Sequence, residues 1–452
     1  MAISTNPIDH LRATIRGGVL VPGAPAYDER RRTFNAMLDR RPRVIVQPLD
    51  TGDVVAAVRW AVSNDLPISV RGGGHNVAGH AVGDDALMLD MGAMRTISVD
   101  PVRRIAEASG GALLEDLDRA TIAHGLAAPS GTYLDTGVAG LTLTGGIGYL
   151  LGSAGFACDA LVGAELVTAA GDVLQVDERT DPDLLWALRG GGGNFGVVTK
   201  LRHSLIPVRD PYGGRIRFEG ESVGEALRLL FELQGGAASD ALTLQAFLGL
   251  DPERGPVMSV LGLWIGEPDL GPRVFAPLRA VRGAYFDSLG PYPYLDMQVI
   301  FERMGPGYRN YWKGHFVRDV GPAVQKVILD GTATAVAHSG LLVEPIHGAA
   351  HRISDDHAAF GSRRALANVS AIGIWEDPAD DTPAIAWARE TTSALEPFSL
   401  RGGGYLNYAP VDEPALRVEQ AFGAETFARL RAVKRRVDPE NRFRFNANIP
   451  PA

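Results

Sequence analysis

The sequence holds one cysteine, Cys158, in 452 residues. That excludes an intrachain disulfide and any multi-cysteine metal or iron–sulfur centre. No uninterrupted apolar run reaches about 18 residues, so no transmembrane helix is expected. The opening segment, MAISTNPIDHLRATIRGG, has an acid near its start and no apolar core, so it does not read as a secretory signal. A cytoplasmic location is the resulting expectation. Basic residues are outnumbered: 44 Lys and Arg stand against 53 Asp and Glu, a net charge of −9. Neither a nucleic-acid backbone nor an anionic membrane is therefore an expected partner. Apolar content of 46% and charged content of 21% are ordinary for a globular chain, and the length suggests two or three domains.

Glycine is abundant, and it is clustered. Residues 71–80, RGGGHNVAGH, follow an apolar run, Leu66–Val70, that reads as a strand. Gly72, Gly73 and Gly74 can take positive φ and bring backbone N–H groups close to a phosphate. His75 comes directly after them, where rigid backbone suits a ligand or a covalent attachment; a hydrogen-bonded histidine on a plain turn is the other reading. A second cluster lies at 129–152, with seven glycines in 24 residues. Such a stretch reads as neither regular helix nor central strand. It suits backbone lying flat against a large ligand, or else tight turns in a β-rich region; the first glycine turn upstream favours the ligand. A third run, 189–208, contains GxGxxG at Gly191, Gly193 and Gly196. The β-branched Val197–Ile206 after it reads as strand, whereas a nicotinamide fingerprint needs a helix there, so the match is rejected.

Between these runs the chain alternates. Residues 8–40 read as one or two helices joined by a Gly/Pro turn. Arg43–Gln47 reads as a strand, then comes a helix capped by Asp50 or Thr51, then Leu66–Val70: an α/β unit with a loop at a strand end, where ligands commonly sit. Leu87–Met91, Thr96–Val99 and Ile105–Ala108 are further strands, Leu113–His124 a helix stopped by Gly125, and Leu161–Val167 with Val173–Val176 a hairpin turning at Gly171. Asp181–Asp183 start a short helix. Beyond residue 207, strand-like runs such as Leu242–Leu250 and Met258–Ile265 alternate with helices such as Val223–Gln234 and Ala384–Leu395, which reads as an antiparallel sheet with helices on one side.

Four runs in order carry a resemblance: VRGGGHNVAGH (70–80), GVAGLTLTGGIGYL (137–150), LLWALRGGGGNFGVVT (184–199), and YLNY (405–408) with VKRRVDPENRFRFNANI (433–449). With these the chain resembles the flavin-linked oxidoreductases of the vanillyl-alcohol oxidase / p-cresol methylhydroxylase superfamily. The likeness is to the berberine-bridge-enzyme-like branch and its bacterial 6-hydroxynicotine oxidase type. The resemblance implies an α+β fold. A PCMH-type FAD-binding domain of two α/β subdomains would span 1–207 and return at 406–452, with an inserted substrate-binding domain at 208–405. It implies FAD joined through His75 to the flavin 8α carbon. Arg71, Gly72, Gly73, Gly74, Asn76, Gly79 and His80 would line the cofactor from the first run. Thr132, Thr136, Gly137, Gly140, Gly145, Gly146 and Gly148 would do so from the second, and Gly196, Val197, Val198, Tyr405 and Asn446 from the later runs.

Many relatives carry a second link through a cysteine in a G-T-C-x-x-V-G run. Here the run is Gly131–Gly137 with Tyr133 at the cysteine place, so a single link is expected, and Cys158 reads as a small buried apolar residue. By resemblance Tyr408 is the catalytic base and Asn407 positions substrate or a flavin edge. A tyrosine pKa of about 10 then calls for nearby positive charge or hydrogen-bond donors. Strand alternation in YLNY would let at most two of Tyr405, Asn407 and Tyr408 face the site. Tyr308, Tyr311 and Trp312 could line a pocket for a ring-bearing substrate, or pack in a helix or strand edge. Arg363 stands where relatives carry a His-Arg pair, with Ser362 in place of the histidine, and Trp375 matches a family tryptophan. The implied reaction is removal of a hydride from a C–H next to O or N of a small molecule. Dioxygen is the expected acceptor, with Thr136 at the gating position. A dehydrogenase with another acceptor and a non-catalytic flavin protein are the alternatives.

Overall fold

The computed structural model describes residues 7–235, 240–300, 307–336 and 338–452. The first sheet is built around short β-branched strands. It comprises β1 (Gly18–Leu20), β2 (Val44–Gln47), β3 (Ile68–Arg71) and β4 (Leu87–Asp90), in the order β1-β2-β4-β3. β2 and β3 both run parallel to β4, and the crossover between them is α1 (Thr51–Ser63). Asp50 caps α1, its carboxylate accepting from Asp53 N at 3.0 Å. Residues 8–40 hold two helices as expected, at Pro7–Thr14 and Tyr27–Arg30, but the connection between them is not all turn: it contains β1, which adds to the edge of β2. Edge pairing decides these three residues, which are too few to carry a pattern of their own.

The second sheet is antiparallel: β5 (Ile97–Asp100), β6 (Ile105–Ser109), β7 (Leu161–Val167), β8 (Val173–Asp177) and β9 (Val197–Ser204), ordered β5-β6-β9-β7-β8. Its helices are α2 (Leu114–Ile122), α3 (Val138–Leu143) and α4 (Pro182–Leu188). The glycine-rich stretch 129–152 thus holds a regular helix after all, at α3. Gly140 sits on its exposed side, where a Cβ would meet nothing within 4 Å. A six-residue helix, packed through Val138, Ala139, Thr142 and Leu143, tolerates one glycine facing open space.

The third sheet has eight antiparallel strands. Seven form the path, from β10 (Tyr212–Glu219), β11 (Leu242–Asp251), β12 (Gly255–Trp264), β13 (Ala284–Asp287), β14 (Arg309–Val317), β15 (Gly340–Pro345) and β16 (Ala367–Trp375), in the order β13-β10-β12-β11-β15-β16-β14; Gly290–Pro291 also pairs with β10. Helices α5 (Ser222–Gln234), α6 (Pro322–Ala333) and α7 (Asp381–Leu395) cover one face through residues such as Leu244, Ala246, Leu341, Val343, Val369 and Ala371. Strand alternation turns Phe247, Leu342, Ile372 and Trp312 to the other face, towards the first two sheets. The chain then returns: α8 (Ala424–Val437) packs on α4.

Candidate active site

A cleft opens where the two glycine-rich loops, the 191–196 turn, the C-terminal return and the bare face of the third sheet meet. Part of its wall is backbone packed against backbone. A Cβ on Gly73 would lie 2.3 Å from Gly137 N, and one on Gly137 would lie 2.3 Å from Gly73 N. Each glycine is therefore required by the other, and Gly74 turns the chain with φ +75°. Peptide groups rather than side chains form this part of the wall. At 191–196 a 3-10 turn, Gly192–Asn194, leads straight into β9, with no helix after it. The rejection of a nicotinamide fingerprint matches this geometry.

Most of the residues singled out from the sequence line the cleft: Gly72, Gly73, Gly74, His75, Asn76, His80, Thr132, Tyr133, Thr136, Gly137, Gly140, Gly196, Val198, Tyr405, Asn407, Tyr408 and Asn446. Others lie behind the wall. The Arg71 guanidinium turns away and donates to Arg30 O. Gly79 packs against Leu38, Gly145 against Phe360, Gly146 against Ala157 and Gly148 against Ser130 O. Val197 alternates with Val198 on β9 and so joins the core beside Ile68 and Leu89. Cys158 is fully buried, and burial pushes its thiol well up. Tyr133 stands in the cleft instead.

His75 Nε2 lies 3.0 Å from Asp135 Oδ1, and Phe34 stacks on its ring with centroids 4.8 Å apart. His80 is brought down to about 4 by burial and by Arg40, so it is neutral near neutral pH. Asn76 accepts from Ala78 N at 3.0 Å and so shapes its own turn.

The YLNY run is not a strand. Leu406–Tyr408 form a 3-10 turn, and this brings Tyr405, Asn407 and Tyr408 together at the cleft, against the expectation of at most two. Tyr405 OH accepts from Gly146 N and from Asn407 Nδ2, each at 2.8 Å. Tyr408 OH donates to Glu344 Oε1 at 3.2 Å. Burial, and then the Glu344 charge, raise the Tyr408 phenol well above its usual value. The positive charge that a ready-made phenolate would need is replaced by a carboxylate. Burial lifts Glu344 to about 7, partly offset by hydrogen bonds from Asn368 and Tyr408. Asn368 Nδ2 donates to Glu344 Oε2 at 2.7 Å. Glu344 was missed in the sequence; its signal is a lone acid in the otherwise apolar strand GLLVEP.

Of the aromatic cluster 307–316, only Trp312 faces the cleft, edge-on to Phe34 and Tyr408. Tyr311 is its neighbour in β14, so the pleat sends it to the opposite face, where its hydroxyl accepts from Arg389 Nε at 3.0 Å. Tyr308 meets His338 outside the wall. Arg363 is also structural: it pairs with Asp159 at 2.8 Å, both side chains buried. Trp375 donates to Asp381 Oδ1 at 2.7 Å.

Three more residues escaped the sequence reading. Asn194 Nδ2 donates to Ala447 O at 3.1 Å, while its Oδ1 accepts from Ile449 N at 2.9 Å. The fully buried Lys434 donates to Asn194 O, Asp438 Oδ2 and Phe443 O. Phe445 joins the wall. Asn194 and Lys434 clamp the C-terminal return to the 191–196 turn.

Among the described residues no group of three His, Cys, Asp or Glu could hold a metal, and no helix is long and apolar enough to cross a membrane. The residues present do fit FAD: a bare-backbone cradle at Gly72–Gly74 and Gly137 for phosphate, and an imidazole in the same cleft.

Comparison with known proteins agrees. Residues 42–177 match the FAD binding domain model, and 404–450 match the model for berberine and berberine-like proteins. The chain is 32% identical to (R)-6-hydroxynicotine oxidase of Paenarthrobacter nicotinovorans over 454 aligned residues, covering 97% of each. The crystal structure of 6-hydroxy-D-nicotine oxidase from Arthrobacter nicotinovorans superposes with a TM-score of 0.89, at 30% identity and full coverage of both chains. Glucooligosaccharide oxidase from Acremonium strictum, whose FAD is 6-S-cysteinyl and 8α-N1-histidyl, shares the fold, with a TM-score of 0.87 at 20% identity over 99% of this chain and 100% of that one. With the PCMH-type α+β fold, the glycine cradle and the C-terminal return all in place, the chain belongs to the berberine-bridge-enzyme-like FAD-linked oxidoreductases.

Proposed function

We propose that this oxidoreductase is an oxidase that removes a hydride from a C–H bond next to O or N of a small organic molecule, with dioxygen as the final acceptor and hydrogen peroxide as product. The observation that carries the oxidation of such a substrate is the Tyr408–Glu344 hydrogen bond at the cleft wall. FAD, when bound, supplies the two-electron acceptor. Tyr408 Oη takes the proton of the substrate O–H or N–H while its own proton passes to Glu344 Oε1. Asn407 and Gly146 N hold Tyr405 beside it. Phe34, Phe247, Trp312, Leu342 and Ile372 are apolar, so they exclude water and suit an uncharged substrate with an apolar ring. Bleaching of the yellow protein under nitrogen by members of that class, but not by sugars or simple amines, tests the assignment. Absence of bleaching by any hydride donor would leave a flavin-binding protein without turnover.

FAD is held covalently through His75 alone in this reading. Tyr133 occupies the cysteine place, and the buried Cys158 lies outside the cleft. After acid precipitation the flavin fluorescence is expected to stay with the parent protein. It is expected to leave the His75→Ala variant, and flavin mapped to a Cys158 peptide refutes the single link.

Dioxygen needs room beside the flavin, and Thr136 in the cleft wall is the proposed gate. Thr136→Leu is expected to slow reoxidation by dissolved oxygen in stopped-flow mixing, with substrate-driven reduction unchanged. If both half-reactions change together, Thr136 is a packing residue. If the parent reoxidises only over minutes and turns over rapidly with a dye, it is a dehydrogenase.

A further inference from the structure

We infer that Asp135 is a positioning residue for flavin attachment, fixing His75 in the tautomer whose Nδ1 is the nucleophile. The inference rests on the single-link reading above. Asp135 Oδ1 lies 3.0 Å from His75 Nε2. A carboxylate only accepts, so the proton of the neutral ring belongs on Nε2, and Nδ1 keeps its lone pair. Aromatic side chains flank the ring, and the Asp135 contact selects which of its two nitrogens carries the proton. Phe34 stacks on it at an interplanar angle of 23°, with Trp312 edge-on behind Phe34 at 5.9 Å, and Tyr133 lies tilted 6.4 Å away.

The Asp135 loop is held equally firmly. Residues on either side are strapped to the start of α2, Glu115 N donating to Leu134 O and Leu114 N to Thr136 O, both at 2.9 Å. The Gly73–Gly137 contact then locks this loop against the one that carries His75. Two loops in backbone contact thus present one carboxylate to one ring nitrogen.

Attachment forms a bond between Nδ1 and the 8α carbon and breaks one 8α C–H bond. The imidazole N–H proton and the 8α hydrogen leave with two electrons, which dioxygen takes up as hydrogen peroxide. Positive charge develops on the imidazole as the bond forms, and Asp135 stabilises it through the Nε2 proton, as a carboxylate does for a catalytic histidine. The Asp135 side chain is 55% exposed, so the pair contributes little to folding and its removal should leave the fold intact.

The test uses the purified full-length chain incubated in air with added FAD. Covalent incorporation is read as flavin fluorescence retained on the denatured chain, and the linked nitrogen is assigned by NMR of the flavopeptide. The parent is expected to give the Nδ1 isomer alone. Asp135→Ala is expected to couple on the order of tenfold or more slowly, with both nitrogen isomers present. Asp135→Asn, which can accept or donate, is expected to give a mixture too, and Asp135→Glu to restore part of the rate. Non-covalent FAD affinity, compared in a His75→Ala background, should not change. An Asp135→Ala protein that couples at the parent rate through Nδ1 alone overturns the inference, as does a parent linked through Nε2. A parent with no covalent flavin overturns the attachment reading, and this inference with it.

Discussion

Glu344→Gln is expected to slow flavin reduction by substrate roughly 10²–10⁴-fold, the range lost when a positioned proton acceptor is removed. Glutamine keeps the shape and still accepts the Tyr408 hydroxyl, but it cannot take the proton. The pH dependence follows from the sign of the shift. Burial lifts Glu344 to about 7, and only its ionised form accepts a proton. The parent's reduction rate should therefore rise with pH through about 7 and level off above it, and the variant should lose that limb. Stability moves the opposite way. A carboxyl whose folded pKa lies above its unfolded value binds more protons when folded, so stability falls as pH rises from about 4.5 through about 7. Glu344→Gln removes that slope and should be no less stable than the parent at pH 8. A slow but stable variant separates loss of chemistry from loss of fold.

Tyr408→Phe is expected to cause a loss of similar size, because the two residues act in series. The double variant should then be little slower than either single one. The residual rate of Tyr408→Phe should also titrate at higher pH, since the hydroxyl that partly stabilises the Glu344 charge is gone. Additive losses would mean that the two act separately, and reduction of Glu344→Gln at the parent rate would remove Glu344 from the proton path.

What the sequence made legible was local. Ile68–Arg71 with its glycine turn, the Val173 hairpin and the strand after GxGxxG each carry their pattern within about ten residues, and each is where it was expected. The misses have a common cause. β1 exists because an edge of β2 was available to three residues that read as turn. The YLNY turn overrides strand alternation because Tyr405 is held by Gly146, 259 positions away. Tyr311 and Trp312 looked equivalent as aromatics, and only the orientation of β14 in its sheet tells cleft from core. Glu344 meets Tyr408 across 64 positions, so its lone acid in an apolar strand signalled burial without naming a partner. The candidate cofactor wall was readable from clustered glycine; the candidate proton path was not.

Lys434→Met is expected to destabilise the fold by about 3–5 kcal/mol, because it strands a buried carboxylate. Lys434 and Asp438 are both fully buried, one turn apart on α8 and its cap, with Nζ 2.6 Å from Asp438 Oδ2. Asp438 also accepts from Arg442 N at 2.8 Å and Phe443 N at 2.9 Å. Those two backbone bonds survive the substitution, so the carboxylate remains ordered but loses its compensating charge. Nζ bonds further to Asn194 O and Phe443 O, at 2.7 and 3.0 Å, and the loss therefore also unclamps the C-terminal return from the 191–196 turn. Covalent flavin incorporation should fall with stability, since Asn194, Phe445 and Ala447 line the cleft. Adding Asp438→Asn to Lys434→Met removes the stranded charge and should recover part of the loss, whereas Asp438→Asn alone should not stabilise. Urea unfolding with flavin content measured on the same samples decides it. A Lys434→Met protein within about 1 kcal/mol of the parent, with its flavin intact, would mean that the pair is dispensable and that apolar packing of α8 on α4 holds the return in place.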